Sequence, residues 1–181
     1  MGKIESVSRA NKTRQSQDRF QALLGTHERM VFKVANAYCG HTDERQDLIQ
    51  EISFQLWRAF PGYDEQRPFS TWMYRIALNV GISFARRAAH RQGRLIPLSK
   101  ETEHLARPTP SATDQGEDDA EFLHRFIAGL DELNRALVLL YLDEKSYAEI
   151  AEILGISETN VGTKIGRLKQ RMRDASKKEN L

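Results

Sequence analysis

The stretch whose reading decides the fold is Ala151–Val161, "AEILGISETNV". An apolar helical pattern stops at a glycine and restarts behind a serine and small polar side chains. Tyr147, Ile150, Ala151 and Leu154 fall at i, i+3, i+4 and i+7, one face of a short helix. Gly155 can take the left-handed backbone that ends it, and Ile156 can plug the turn. Ser157 is a good N-cap for a second helix, because its hydroxyl accepts from a backbone amide that lacks a partner inside the helix. That second helix buries Val161, Ile165, Leu168 and Met172. Thr159, Thr163, Gln170 and Arg173 point the opposite way, flanked by Asn160 and Arg167. Two short helices about a glycine turn form a helix-turn-helix, here residues 147–166. Short donors and acceptors near the start of the second helix can reach base edges in a major groove. Lys164, Arg167 and the bases beyond them can hold phosphates. Gly162 and Gly166 sit one turn apart on the flank of the polar face. Each costs about 1 kcal/mol in a helix relative to alanine, and each tolerates close approach by another molecule's backbone. The competing reading is a helical hairpin with a merely solvated polar face.

Charge is distributed in the same sense. The formal net charge is only +2, so total charge decides nothing about partners. Its blocks do. Arg86, Arg87, His90, Arg91 and Arg94 cluster in one segment. Residues 101–121 hold seven acids and one base, and Lys164–Lys178 hold seven bases and one acid. Alternating blocks of this kind point to a polyanion contacted at two places. At 40% hydrophobic and 29% charged, with mean hydropathy −0.58, the composition is that of a soluble globular chain. No apolar run approaches the roughly 18 residues of a membrane span, so no membrane insertion is expected. The opening "MGKIESVSRANKTRQSQDRF" lacks the apolar core of a secretory signal. Cys39 is the single cysteine, which excludes an internal disulfide. A cytoplasmic protein is the expectation.

Four segments follow from composition and periodicity. Residues 1–19 are polar and are expected as a disordered tail. Residues 20–92 read as helices, broken by "PGYDEQRP" (Pro61–Pro68), which cannot continue a helix. Residues 93–120 carry Pro97, Pro108, Pro110 and the acidic run, and read as a flexible linker. Residues 121–178 return to helical patterning. The predicted fold is all-α, with two small helical domains joined by that linker.

Within the first domain, "RQDLIQEISFQLWRAF" (Arg45–Phe60) places Leu48, Ile49, Ile52, Leu56, Ala59 and Phe60 on one core-facing arc. Phe54 and Trp57 lie on the far side, among Asp47, Gln50, Glu51 and Arg58. Large rings on a polar face mark a protein interface, unless a neighbouring helix over Phe20–Tyr38 covers them. In "RPFSTWMYRIALNVGISFARRAAHR", Phe69, Met73, Ile76, Val80 and Phe84 are expected as the core stripe. Arg75, Asn79, Arg86 and His90 share another face, with Ser83 beside them. Asn79 can read a base edge and the arginines can hold backbone phosphates. Trp72 offers a flat surface for an exposed base, or else is core.

Three of these segments, in this order and spacing, resemble bacterial sigma factors of the sigma-70 family. They are "DLIQEISFQLWRAF", "FSTWMYRIALNVGISFARR" and "SYAEIAEILGISETNVGTKIGRLKQRMR". The short two-domain layout resembles the extracytoplasmic-function group. The resemblance implies that residues 20–92 form sigma region 2, a helical bundle. Asp47, Gln50, Glu51, Phe54 and Trp57 would dock on the clamp helices of the largest subunit of core RNA polymerase. Trp72, Arg75, Asn79, Ser83, Arg86, Arg87 and Arg91 would read and melt the promoter −10 element. Residues 121–178 would form region 4, touching the flap of the second-largest subunit. Its Ser157, Thr159, Asn160, Thr163, Lys164 and Arg167 would read the −35 element as duplex. An anti-sigma factor is an implied partner. Many relatives carry an acid near the position of Ser83, a base at Gly162, and histidine or asparagine at Gly166, so this chain departs from the pattern at its reading faces.

No catalytic residue and no cofactor is expected. "CGHTDERQD" (Cys39–Asp47) holds metal-ligand types but matches no zinc spacing, and reads as a helix-to-helix turn with Thr42 or Asp43 as cap. No phosphate-binding glycine loop is present. The rival function is a dimeric helix-turn-helix regulator binding duplex operators without polymerase. It leaves the Phe54 and Trp57 face and the Arg75–Arg91 helix unused.

Overall fold

The computed structural model describes residues 2–40, 42–91 and 115–179, and among them every regular element is a helix. The order is α1 (Gly2–Tyr38), α2 (Thr42–Ala59), a 3₁₀ turn (Phe60–Gly62), α3 (Phe69–Arg91), α4 (Gln115–Ala128), α5 (Glu132–Leu142), α6 (Tyr147–Leu154) and α7 (Glu158–Glu179). The chain forms two compact units, Met1–Gly81 and Ile82–Leu181, with the boundary inside the unbroken helix α3.

In the first unit, α1 contributes Met30, Val31, Val34, Ala35 and Tyr38 to the core, and α2 contributes Leu48, Ile52 and Leu56. Of the predicted arc of α2, Leu48, Ile52, Leu56 and Phe60 are buried, and Ile49 and Ala59 are half-buried. Pro61 sits in the 3₁₀ turn, and Thr71 and Trp72 donate their amides to the Pro68 carbonyl to start α3. The break at Pro61–Pro68 is held by the Tyr63 hydroxyl, which donates to the Arg67 carbonyl at 2.7 Å. Arg19 of α1 pairs with Glu65 of the same break.

Helix α3 corrects the expected core stripe. Met73, Tyr74, Ala77, Leu78 and Gly81 are buried, whereas Ile76, Val80 and Phe84 are only half-buried. At about 100° per residue, the inner face is rotated by roughly a quarter turn from the predicted one. The reason is close packing on small residues. A Cβ at Gly81 would lie 2.9 Å from the Tyr38 ring, so the ring needs the absence of a side chain there.

Other expectations also change. Residues 2–19, expected as a tail, are the first part of α1. The stretch has no proline, and its three arginines, two lysines and two glutamines favour helix. Residues 93–114 of the expected linker lie outside the described residues, and 115–120 form the start of α4. Thr42 and Asp43 lie within α2, where Asp43 and Glu44 put negative charge in the first turn.

In the second unit, Ala136–Leu140 of α5 are buried against Ile150 and Ile153 of α6 and Val161, Ile165 and Leu168 of α7. Asp131 caps α5 by accepting from the Asn134 amide at 2.9 Å. Arg135 reaches back and donates to the carbonyls of Ile127, Ala128 and Leu130 at and just after the end of α4, adding to the Leu130 amide that already donates to Ile127.

Candidate nucleic-acid interface

The turn between α6 and α7 is built as its sequence requires. Ser146 and Glu149 form a reciprocal capping box at the start of α6. Lys145 adds a 3.1 Å ion pair to the same carboxylate. The Ser146 amide and hydroxyl, then Lys145, hold the Glu149 carboxyl below its ordinary range. The Ser-x-x-Glu spacing is the legible signal for this cap, which the sequence reading passed over. Gly155 adopts φ 67° and closes α6 through its amide to the Ala151 carbonyl at 2.9 Å. The Ser157 hydroxyl accepts from the Asn160 amide at 3.2 Å and starts α7.

Ser157, Thr159, Asn160, Thr163 and Arg167 are all exposed, and Lys164 is half-buried. The Thr163 hydroxyl donates to the Thr159 carbonyl at 3.0 Å, which leaves its lone pairs outward. Further along, Arg173 donates to Gln170, and Gln170 donates to Asp174. Opposite this face, Val161, Ile165 and Leu168 are buried. The outward face therefore begins with hydroxyl and amide groups and continues into cations. Gly166 lies near the centre of this face instead of on its flank, by helical geometry of about 100° per residue. Gly162 is on the flank, beside the Tyr147 ring.

On α3, Arg75, Asn79, Ser83, Arg86, Arg87 and Arg91 are exposed. Trp72, Arg75, Asn79, Ser83 and Arg86 lie within about 60° of one line along the helix, and Arg87 and Arg91 step to one side. Arg87 Nε donates to the Ser83 carbonyl at 3.3 Å. Trp72 is half-buried in an aromatic cluster, with ring centroids 5.3 Å from Phe69 and 5.1 Å from Tyr63. The cluster holds the indole in place and leaves it only partly covered.

On α2, Asp47, Gln50 and Phe54 are exposed, Trp57 is partly exposed and Glu51 is half-buried. Asp47, Gln50, Phe54 and Trp57 share the face opposite Leu48, Ile52 and Leu56, and Glu51 lies on its flank. Glu51 accepts from Gln55 at 2.9 Å. Phe54 is 56% exposed. Trp57 meets the Phe20 ring at 5.2 Å, so the neighbouring helix covers it in part, the alternative the sequence left open.

The sequence reading missed the exposed Phe32 of α1 and Tyr141 and Leu142 of α5. Phe32 falls out of phase with the buried Val31, Val34 and Tyr38, which is the signal that finds it. Lys169 sits 4.3 Å over the Tyr141 ring, and its ammonium is held above its ordinary range by a hydrogen bond to Tyr141.

Near Cys39, the thiol lies 3.9 Å from a Glu44 carboxylate oxygen, and His41 lies outside the described residues. Among the described residues no group of three or more His, Cys, Asp and Glu side chains is placed to hold a metal. No helix among them is long and apolar enough to cross a membrane.

Comparison with known proteins matches both units. The family model "Sigma-70 region 2" matches residues 23–91, and "Sigma-70, region 4" matches residues 122–172. The chain is 27% identical over 167 residues to the ECF RNA polymerase sigma factor SigW of Bacillus subtilis, covering 87% of this chain and 88% of that one. It is 27% identical over 156 residues to the ECF RNA polymerase sigma factor SigE of Mycolicibacterium smegmatis, covering 84% of this chain and 59% of that longer relative. Among solved structures, the sigma factor RpoE in complex with the anti-sigma factor NepR, from Bartonella quintana, aligns with TM-score 0.65 at 17% identity, over 88% of this chain and 97% of that one. At that identity the likeness concerns the fold.

Proposed function

Since the chain belongs to the sigma-70 family, in its ECF group, we propose that it binds core RNA polymerase and directs it to promoters carrying −35 and −10 elements. The observation that carries this reading is the separation of roles on exposed faces. One face of α2 is acidic and aromatic, and two other helices, α3 and α7, carry cations around short polar groups.

In this reading Asp47, Gln50, Glu51, Phe54 and Trp57 dock on the clamp helices of the largest polymerase subunit. Phe54 supplies apolar area that is wet in the free chain. Trp72, Arg75, Asn79, Ser83, Arg86, Arg87 and Arg91 engage the −10 element as it opens, the arginines on phosphates, Asn79 and Trp72 on released bases. Ser157, Thr159, Asn160, Thr163, Lys164 and Arg167 read the −35 element as duplex, while region 4 meets the flap of the second-largest subunit. Residues 93–114 and the start of α4 connect the readers. Two weak readers carried by one polymerase raise each other's effective concentration. Opening the duplex costs on the order of 1.4 kcal/mol per base step, which captured bases and the polymerase's own contacts offset. The isolated chain therefore opens little promoter. The chain acts in the cytoplasm, at the nucleoid, through the polymerase. By analogy with the relative seen bound to NepR, an anti-sigma factor is a fitting regulator of this chain.

The test is run-off transcription with bacterial core polymerase on a promoter library. Start sites that require the chain support the reading. Specific duplex binding by a dimer, with no polymerase affinity, would favour the operator-binding rival.

A further inference from the structure

We propose that Gly166 sets how deeply α7 enters the major groove, and so is a specificity-determining position of the upstream reader. The proposal rests on the reading of α7 as a duplex-DNA recognition helix. An α-helix with its side chains is about 10–12 Å across, and the major groove is about 12 Å wide and 8.5 Å deep. Such a helix fits tightly, and the residue at the middle of its outward face limits the approach. Thr159, Thr163, Gly166 and Gln170 lie within about 30° of one outward line, opposite the buried Val161 and Leu168. At the middle of that line stands a residue with no side chain.

The fold does not require glycine there. Nothing lies within 4 Å of the place a Gly166 Cβ would occupy, and its φ is not in the left-handed region. This contrasts with Gly81, where the Tyr38 ring fills the space, and with Gly155, whose φ of 67° ends a helix. Glycine inside α7 lowers helix stability with no return from intramolecular packing. The exposed charges fit the same docking. Arg167 and Arg171 lie to one side of the outward line and Arg173 to the other, where groove walls of phosphate would stand; the line itself is uncharged, and the one acid near it, Asp174, accepts from Gln170. Thr159 and Thr163 are thereby brought within reach of base edges that longer side chains would otherwise be needed to meet.

The experiment uses holoenzyme assembled from bacterial core polymerase and the full chain, with a promoter selected from a randomised library by the wild-type holoenzyme. Wild type, Gly166→Ala and Gly166→Leu are compared on that promoter and on a copy with its upstream element scrambled. Gly166→Ala is expected to lose about tenfold in affinity on the intact promoter, the scale of one lost base contact. Gly166→Leu should lose at least as much, and all three should bind the scrambled copy alike. The free Gly166→Ala chain should melt at a higher temperature than wild type, which separates the DNA effect from damage to the fold. An alanine variant that discriminates between the two DNAs as well as wild type overturns the proposal and leaves the reading of α7 standing. A wild-type holoenzyme that does not discriminate overturns both.

Discussion

The ring of Phe20 packs on the ring of Trp57 at a centroid distance of 5.2 Å, whereas Phe54, one turn earlier on the same face of α2, is 56% exposed. The two aromatic residues assigned to the polymerase-docking face therefore differ in what they do for the free chain. Phe54→Ala should change unfolding free energy by no more than about 0.5 kcal/mol, as for other exposed positions. Trp57→Ala should cost about 1 kcal/mol through its lost aromatic pair. Both should weaken binding to core polymerase. Denaturant unfolding set beside a polymerase-binding titration measures the two effects separately. Loss of the folded domain in Phe54→Ala would place that ring in the core and remove it from the interface.

Gly81 and Tyr38 fix how α3 meets α1. Gly81→Val should destabilise the first unit by about 1–3 kcal/mol, because the buried ring cannot yield to a branched side chain without moving the backbone. Thermal unfolding followed by far-ultraviolet circular dichroism reads this directly. An unchanged midpoint would mean the helices separate easily at this contact.

Glu149 makes the start of α6 sensitive to acid. The Ser146 amide, the Ser146 hydroxyl and Lys145 lower its carboxyl from the ordinary value of 4.5. A carboxylate lowered on folding stabilises the native state at pH above its unfolded value. That contribution fades as pH falls through the lower folded value. The stability difference between wild type and Glu149→Gln should thus be constant from neutrality down to about pH 5 and shrink below it. Melting temperatures of the two chains from pH 7 to pH 3 provide the comparison. A difference that grows on acidification would contradict the cap.

Arg167 stands exposed beside the outward line of α7. If it holds a phosphate, Arg167→Ala should weaken holoenzyme binding to promoters bearing the upstream element and lower the salt slope of log affinity by about 1. Promoter binding measured between low and physiological salt gives the slope. A uniform loss with an unchanged slope would assign Arg167 a contact other than phosphate.

The helix-turn-helix was legible because its signals are local. Gly155 marks a left-handed turn and Ser157 marks a cap, and both act within a few residues of themselves. The inner arc of α2 was legible because leucine and isoleucine carry it. The inner face of α3 was not, since Ala77, Gly81 and Tyr74 form much of it, and small or hydroxylated residues barely register as apolar. The close approach at Gly81 depends on Tyr38, more than forty positions away in sequence. The partial cover of Trp57 by Phe20 is a contact between helices that a single-helix wheel cannot contain. The carbonyls closed by Arg135 at the end of α4 were hidden for the same reason, because a long side chain there reaches back across a turn.

The account stands or falls most directly on whether the chain joins the polymerase. Purified chain mixed with bacterial core RNA polymerase and passed over a gel-filtration column should co-elute with it, and Phe54→Ala with a charge reversal at Glu51 should elute separately while remaining folded. Wild-type chain eluting apart from polymerase, with transcription from every promoter in the library starting as well without it, would contradict the account.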